Sequence, residues 1–140
     1  MSGVYERLRS KTTTQFIINA IELQIELAHY CTKEKFVPKK YRLMLGIPII
    51  NKVNEMVDNI TFANSIFAND EAKFAKRQEY QTKAIANCFQ LQNLIIALEK
   101  TIDKVTIESL NKIIDLLCVE LSLLQSWKKS DKIINKKASC

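Results

Sequence analysis

An all-α fold, an up-down-up-down antiparallel four-helix bundle, is what this 140-residue chain predicts. Three observations lead there. Hydrophobic residues make up 47% of the chain, with only two glycines and two prolines, too few turn-formers for a many-stranded sandwich or barrel. Apolar residues recur at alternating steps of three and four, the repeat of one helix face. The breaks between these stripes are about five residues long, which turns each helix back on the last and closes four of them into a bundle. A domain near this size removes about 70% of its unfolded surface from water, enough for a real core. Residues 1–131 are therefore assigned to one bundle domain with a short basic N-terminal arm, and 132–140 to a basic, flexible tail.

The first stripe is Phe16, Ala20, Leu23, Leu27 and Tyr30, and Thr12 and Gln15 ahead of it have capping-box spacing. Residues 33–37 break the pattern. Pro38 then suits the first turn of a second helix, where a missing N–H costs nothing. The second stripe runs Leu45, Ile49, Val53, Met56, Ile60, Ala63, Phe67 to the break at Asn69 and Asp70. Pro48 falls inside it, at a cost of about 3 kcal/mol in a regular helix, because it removes one backbone bond and crowds the carbonyl of Met44. A kink over residues 44–48 is expected, aided by Gly46.

Asn69 or Asp70 caps a third helix with the stripe Phe74, Arg77, Gln81, Ala84, Cys88, Leu91, Ile95, Leu98, polar in its first half. Thr106 offers the cap of a fourth, carried by Leu110, Ile114, Leu117, Leu121 and Leu124 toward Trp127. Ile17, Ile21 and Ile25 on the first helix, with Ile113, Cys118 and Val119 on the fourth, widen the stripes beyond one bundle seam, so a homo-oligomer is expected.

Catalytic chemistry is hard to assemble from these residues. Cys31, Cys88, Cys118 and Cys140 lie far apart with one histidine in the chain, so zinc-ligand spacing is absent and no cofactor or metal is assigned. His29 has Glu26 at i−3 and no second Glu-x-x-His pair to complete a di-metal bundle. The two glycines stand 43 positions apart, so no phosphate loop forms. No apolar run approaches the roughly 20 residues that cross a bilayer. The expectation is a cytoplasmic, non-enzymatic protein with reduced thiols and no membrane partner.

Charge is sorted by position. Residues 33–42 and 128–140 each carry a net +4, against +6 for the whole chain. Each positive block borders an apolar stripe, so a bundle gathers positive charge at its ends around an acidic waist. Lys39, Lys40 and Arg42 flank Tyr41 at one helix start, Lys76 and Arg77 stand at another, and Lys128, Lys129 and Lys132 close the fourth helix with Lys136 and Lys137 beyond. With aromatics at 8%, contact with a nucleic-acid backbone is favoured over base readout.

Two stretches carry a family likeness. Phe36-Val37-Pro38-Lys39-Lys40-Tyr41-Arg42 and Leu123-Leu124-Gln125-Ser126-Trp127-Lys128-Lys129-Ser130 resemble the accessory variability determinant (Avd) family of diversity-generating retroelements, whose superfamily includes the four-helix proteins of 23S ribosomal RNA intervening sequences. The resemblance implies a four-helix bundle assembled as a homopentamer. It implies a non-catalytic partner of a reverse transcriptase and its template RNA or RNA/DNA hybrid, supporting mutagenic complementary-DNA synthesis. On the matching positions it assigns nucleic-acid contact to Lys39, Lys40, Arg42, Lys128 and Lys129. Two departures stand out: Ser126 where the family often has glycine, and Gln90, Gln92 and Asn93 where its third helix is commonly arginine-rich. An intervening-sequence-type structural or protein-interaction module is the alternative.

Overall fold

The computed structural model describes residues 15–134. The N-terminal arm, Thr12 of the expected capping pair, Lys136, Lys137 and Cys140 lie outside the described residues. Four long helices account for most of the rest: α1 (Gln15–Thr32), α2 (Ile47–Ser65), α3 (Glu71–Thr101) and α4 (Asn111–Ser130). No strand occurs among the described residues. The chain is all-helical, with α1 against α2 and α4, α2 against α3, and α3 against α4.

The apolar stripes supply the core. Phe16, Ala20, Leu23, Leu27 and Tyr30 of α1 are buried against Ile49, Val53, Met56, Ile60 and Ala63 of α2. Ala84, Cys88, Leu91, Ile95 and Leu98 of α3 and Leu117 and Leu124 of α4 close the other side. Each fully buried leucine here contributes about 1.5–3 kcal/mol relative to exposure. Ile113 is also inside, so it belongs to this core and not to the surplus apolar surface expected of it, whereas Ile25 and Val119 stay exposed.

The second stripe ends earlier than its spacing suggests. Ile66 turns extended, with φ −85° and ψ 117°, which stops α2 at Ser65, throws Phe67 out to 60% exposure and puts Ala68 inside. The expected disturbance at Pro48 takes the form of a π-helical segment, Arg42–Gly46, in which Ile47 N–H reaches back five residues to Arg42 O. Widening the turn just ahead of Pro48 accommodates the missing donor and the ring without breaking the helical run. Pro38 itself is extended, with ψ 154°, and accepts from Tyr41 N–H at 2.9 Å. It therefore precedes the single turn Lys39–Tyr41 rather than occupying it.

Local caps hold the remaining joints. Asp70 accepts from Lys73 N–H at 2.7 Å and starts α3. Thr106 and Ser109 cap each other reciprocally, at 3.0 and 3.1 Å, but this closes the turn leading into α4, which begins only at Asn111. Tyr30 Oη lies 2.7 Å from Ser109 Oγ and ties that turn to the end of α1. Tyr30 also stacks on Phe36 at 4.4 Å, seating the connection that buries Val37.

Candidate nucleic-acid interface

At one end of the molecule, the turn Lys39–Tyr41 holds Lys39 and Lys40 exposed to solvent. Lys40 Nζ rests 5.0 Å from the Tyr41 ring centre. Arg42, two residues on, faces the other way. Its Nε donates to Val37 O at 3.1 Å, and its Nη2 to Thr32 O at 3.1 Å and Glu34 Oε2 at 3.0 Å. A guanidinium forks across several acceptors at once, which a lysine cannot do, and Arg42 thereby closes the α1–α2 connection.

The same division appears at the other end. Phe16 at the start of α1 meets Trp127 at the end of α4 with ring centres 4.0 Å apart. The Arg77 guanidinium lies over the same indole at 5.3 Å. Arg77 Nε and Nη2 donate to both oxygens of Asp131, at 2.7 and 3.3 Å, and Nη1 donates to Ile66 O at 3.0 Å. Both side chains of the pair are largely buried, at 15% and 13% exposure. Gln81 adds Nε2 to Asp131 Oδ2 at 2.8 Å, leaving its buried Oε1 without a partner.

Of the eight cations singled out by sequence, Lys39, Lys40, Lys129 and Lys132 are exposed and Lys128 is half-buried. Lys76 is exposed but shared with Glu79 at 3.5 Å and the Tyr80 ring at 5.4 Å. Arg42 and Arg77 instead donate to acceptors within the protein itself. A signal for Arg77 was present in its phase: it falls on the stripe of Gln81, Ala84 and Cys88, so it points at the interior.

Two polar groups escaped the sequence reading. Glu120, fully buried on α4, accepts from Asn19 Nδ2 at 3.0 Å, and the same nitrogen reaches Leu116 O at 2.9 Å. Burial pushes the Glu120 carboxyl up to about 8, the Asn19 bond pulling the other way. Asn87 of α3 joins Asn59 Nδ2 at 2.8 Å, Gln90 at 3.0 Å and Glu55. A hydrogen bond from Lys52, together with that from Asn87, holds the Glu55 carboxyl below its usual range against a small burial effect.

Among the described residues no group of three histidine, cysteine or acidic side chains is placed to hold a metal ion. Glu26, one turn before His29, is paired with Lys112 at 2.9 Å. No described helix is long and apolar enough to cross a membrane. Between α3 and α4 runs an open groove of about 240 Å³ floored by Ile95 and Leu117 and edged by Gln92, Ile96, Cys118 and Leu121. A second depression between the same helices is lined by Gln78, Gln125, Lys128 and Lys129. No protein-family model, curated protein or solved structure matches this chain.

Proposed function

We propose that this protein is a non-enzymatic accessory factor that grips a polyanion through exposed lysines at the two ends of its helical body. Taken with the resemblance of residues 36–42 and 123–130 to Avd, the polyanion is the template RNA of a diversity-generating retroelement and the protein partner its reverse transcriptase. One observation carries the proposal: Lys39 and Lys40 at one end, and Lys129 and Lys132 at the other, present their side chains to solvent, while the neighbouring arginines hold the scaffold. Lysines on a rigid frame neutralise phosphates without reading bases.

An up-down-up-down antiparallel order of α1 to α4 belongs to the same proposal. Support comes from the packing of each helix on its chain neighbours and of α1 on α4, and from the meetings of Phe16 with Trp127 and of Tyr30 with Ser109. The homopentamer implied by the resemblance draws on exposed Ile25, Phe89, Ile96 and Val119 as apolar surface for subunit contact. Sedimentation of the full chain tests it, and a monomer rejects it.

RNA binding is tested by salt. Affinity for a structured RNA is expected to fall by orders of magnitude between about 50 and 200 mM salt if six or more phosphates are contacted. Replacing Lys39, Lys40, Lys129 and Lys132 by Ala is expected to flatten that slope by about one unit per lost contact. Undetectable or salt-insensitive binding rejects the proposal. The groove between α3 and α4 favours the second reading, an intervening-sequence-type module that binds protein through apolar surface. In that case the lysine replacements leave partner binding intact.

A further inference from the structure

The chain beyond α4 does not simply trail away. Residues 131–134 are non-helical and are pinned twice: the Asp131 carboxylate is held by Arg77 and Gln81 of α3, and Ile134 N–H donates to Ala68 O at 2.8 Å in the α2–α3 connection. Lys132 is fixed between the two pins and is exposed. The segment thus crosses from the end of α4, past Arg77 and Gln81 of α3, to the α2–α3 connection. Sequence alone assigned residues 132–140 to a flexible tail.

Asp131 is the one acidic residue between positions 128 and 140. Its carboxylate is turned inward onto Arg77, beside Trp127, and among the described residues neither Lys129 at the end of α4 nor Lys132 in the segment is paired with a carboxylate. A cation held in place loses less freedom on meeting a phosphate than one on a loose tail. Both consequences trace to one side chain.

We infer that Asp131, locked by Arg77 and Gln81, is a positioning residue that lays the basic C-terminal segment across the start of α3, so that Lys132 is held beside Lys129 at the end of α4 and the two act as one polyanion-binding face. The inference rests on the polyanion-binding function proposed above. It makes a prediction opposite in sign to simple charge counting. Asp131→Asn raises the net charge by one, which by charge alone tightens RNA binding. If Asp131 positions the segment, the same change weakens it, because the lysines no longer act together.

The test uses the full chain, the Asp131→Asn variant, and Ile134→Pro, which removes the second pin without changing charge. A structured RNA hairpin is titrated at several salt concentrations, and amide hydrogen exchange is followed across residues 131–134. Asp131→Asn is expected to exchange faster over these residues, and Ile134→Pro, which has no amide at 134, over residues 131–133, while α1 to α4 keep their protection. Both are expected to bind about 3- to 10-fold more weakly near 100 mM salt, with a salt slope smaller by about one unit. Binding by Asp131→Asn equal to or tighter than the parent overturns the inference while leaving polyanion binding standing. Unchanged exchange in both variants overturns it as well. Failure of the parent chain to bind RNA removes the proposed function and this inference with it, and the exchange data then show whether the lock is structural alone.

Discussion

Asn19 on α1 and Glu120 on α4 meet across 101 positions of sequence, Nδ2 to Oε1 at 3.0 Å, in the interior. The second carboxyl oxygen, Oε2, has no partner, and the nearby titratable group is the Cys88 thiol of α3, itself pushed up to about 12 by burial and by Glu120. A carboxyl raised from 4.5 to about 8 holds a proton in the folded chain that the unfolded chain has released. Between those two values the folded state binds more protons, so this group's stabilisation is full below about 4.5 and is lost as pH rises through about 8. Glu120→Gln keeps the shape and removes the titration. The variant is expected to match the parent near pH 4.5 and to exceed it by a few kcal/mol above pH 8, on the order of what a shift of this size is worth. Urea midpoints across that range check this, and parallel pH profiles for the two proteins would reject the buried-charge account.

Helix existence and phase were legible in the sequence because burial imposes a repeat of three and four that survives polar interruptions. Gln81 and Arg77 kept the phase of the α3 stripe, and both turn inward. Glu120 also kept phase, three residues after Leu117 and four before Leu124, yet a charged residue in that position is more often a solvated neighbour. Its burial depends on Asn19, whose pairing no local pattern encodes. The ends were least legible. α2 stops when Ile66 turns extended, and Thr106 caps a lead-in turn instead of the helix. Lysine and arginine looked equivalent as positive charge, but Arg42 and Arg77 each met backbone carbonyl and carboxylate acceptors from separate parts of the chain, and that grouping exists only once the chain is folded.

Arg42 and its neighbours Lys39 and Lys40 should therefore separate cleanly on mutation. Arg42→Ala removes the Glu34 ion pair and strands the carbonyls of Val37 and Thr32. Hydrogen bonds to a charged group contribute about 1.5–3 kcal/mol net, and solvent reduces this here because the pair is about a third exposed on the arginine side. A net loss of about 1–2 kcal/mol follows. The double replacement of Lys39 and Lys40 by Ala touches no such bond and should leave stability within about 0.5 kcal/mol. Thermal melts decide this, and a large loss in the lysine variant would show that these side chains also hold the scaffold.

Gly46 is the last residue of the π segment and is buried, which suggests a residue chosen for lack of bulk. Its backbone is ordinary helix, φ −68° and ψ −51°. A Cβ built there meets Val37 Cγ1 at 3.7 Å and Arg42 Cβ at 3.9 Å, normal contact distances. Gly46→Ala is thus expected to stabilise by about 0.4–1 kcal/mol, chiefly by restricting the unfolded chain. A loss instead would mean that the Ile47 to Arg42 bond requires a backbone that Ala resists. Because Pro48 and not Gly46 is what the wide turn accommodates, the π segment should persist in the Gly46→Ala protein.

Cys118 is the exposed cysteine among the described residues, whereas Cys31 and Cys88 are buried. Burial raises the Cys31 and Cys88 thiols to about 11 and about 12, so near neutral pH their thiolate fraction is on the order of one in ten thousand or less. With Cys140→Ser introduced to remove the terminal thiol, a native sample is expected to take up one alkyl group per chain quickly, at Cys118. The other two positions react only as the helices open, at rates that climb with denaturant. Mass spectrometry of modified peptides over time resolves the order. Cys118 edges the α3–α4 groove, so the same experiment reports on assembly. If subunits cover that groove, dilution to the point of dissociation accelerates Cys118 alkylation while Cys88 stays slow. If Cys88 instead keeps pace with Cys118, the core between α2, α3 and α4 opens far more readily than its packing requires.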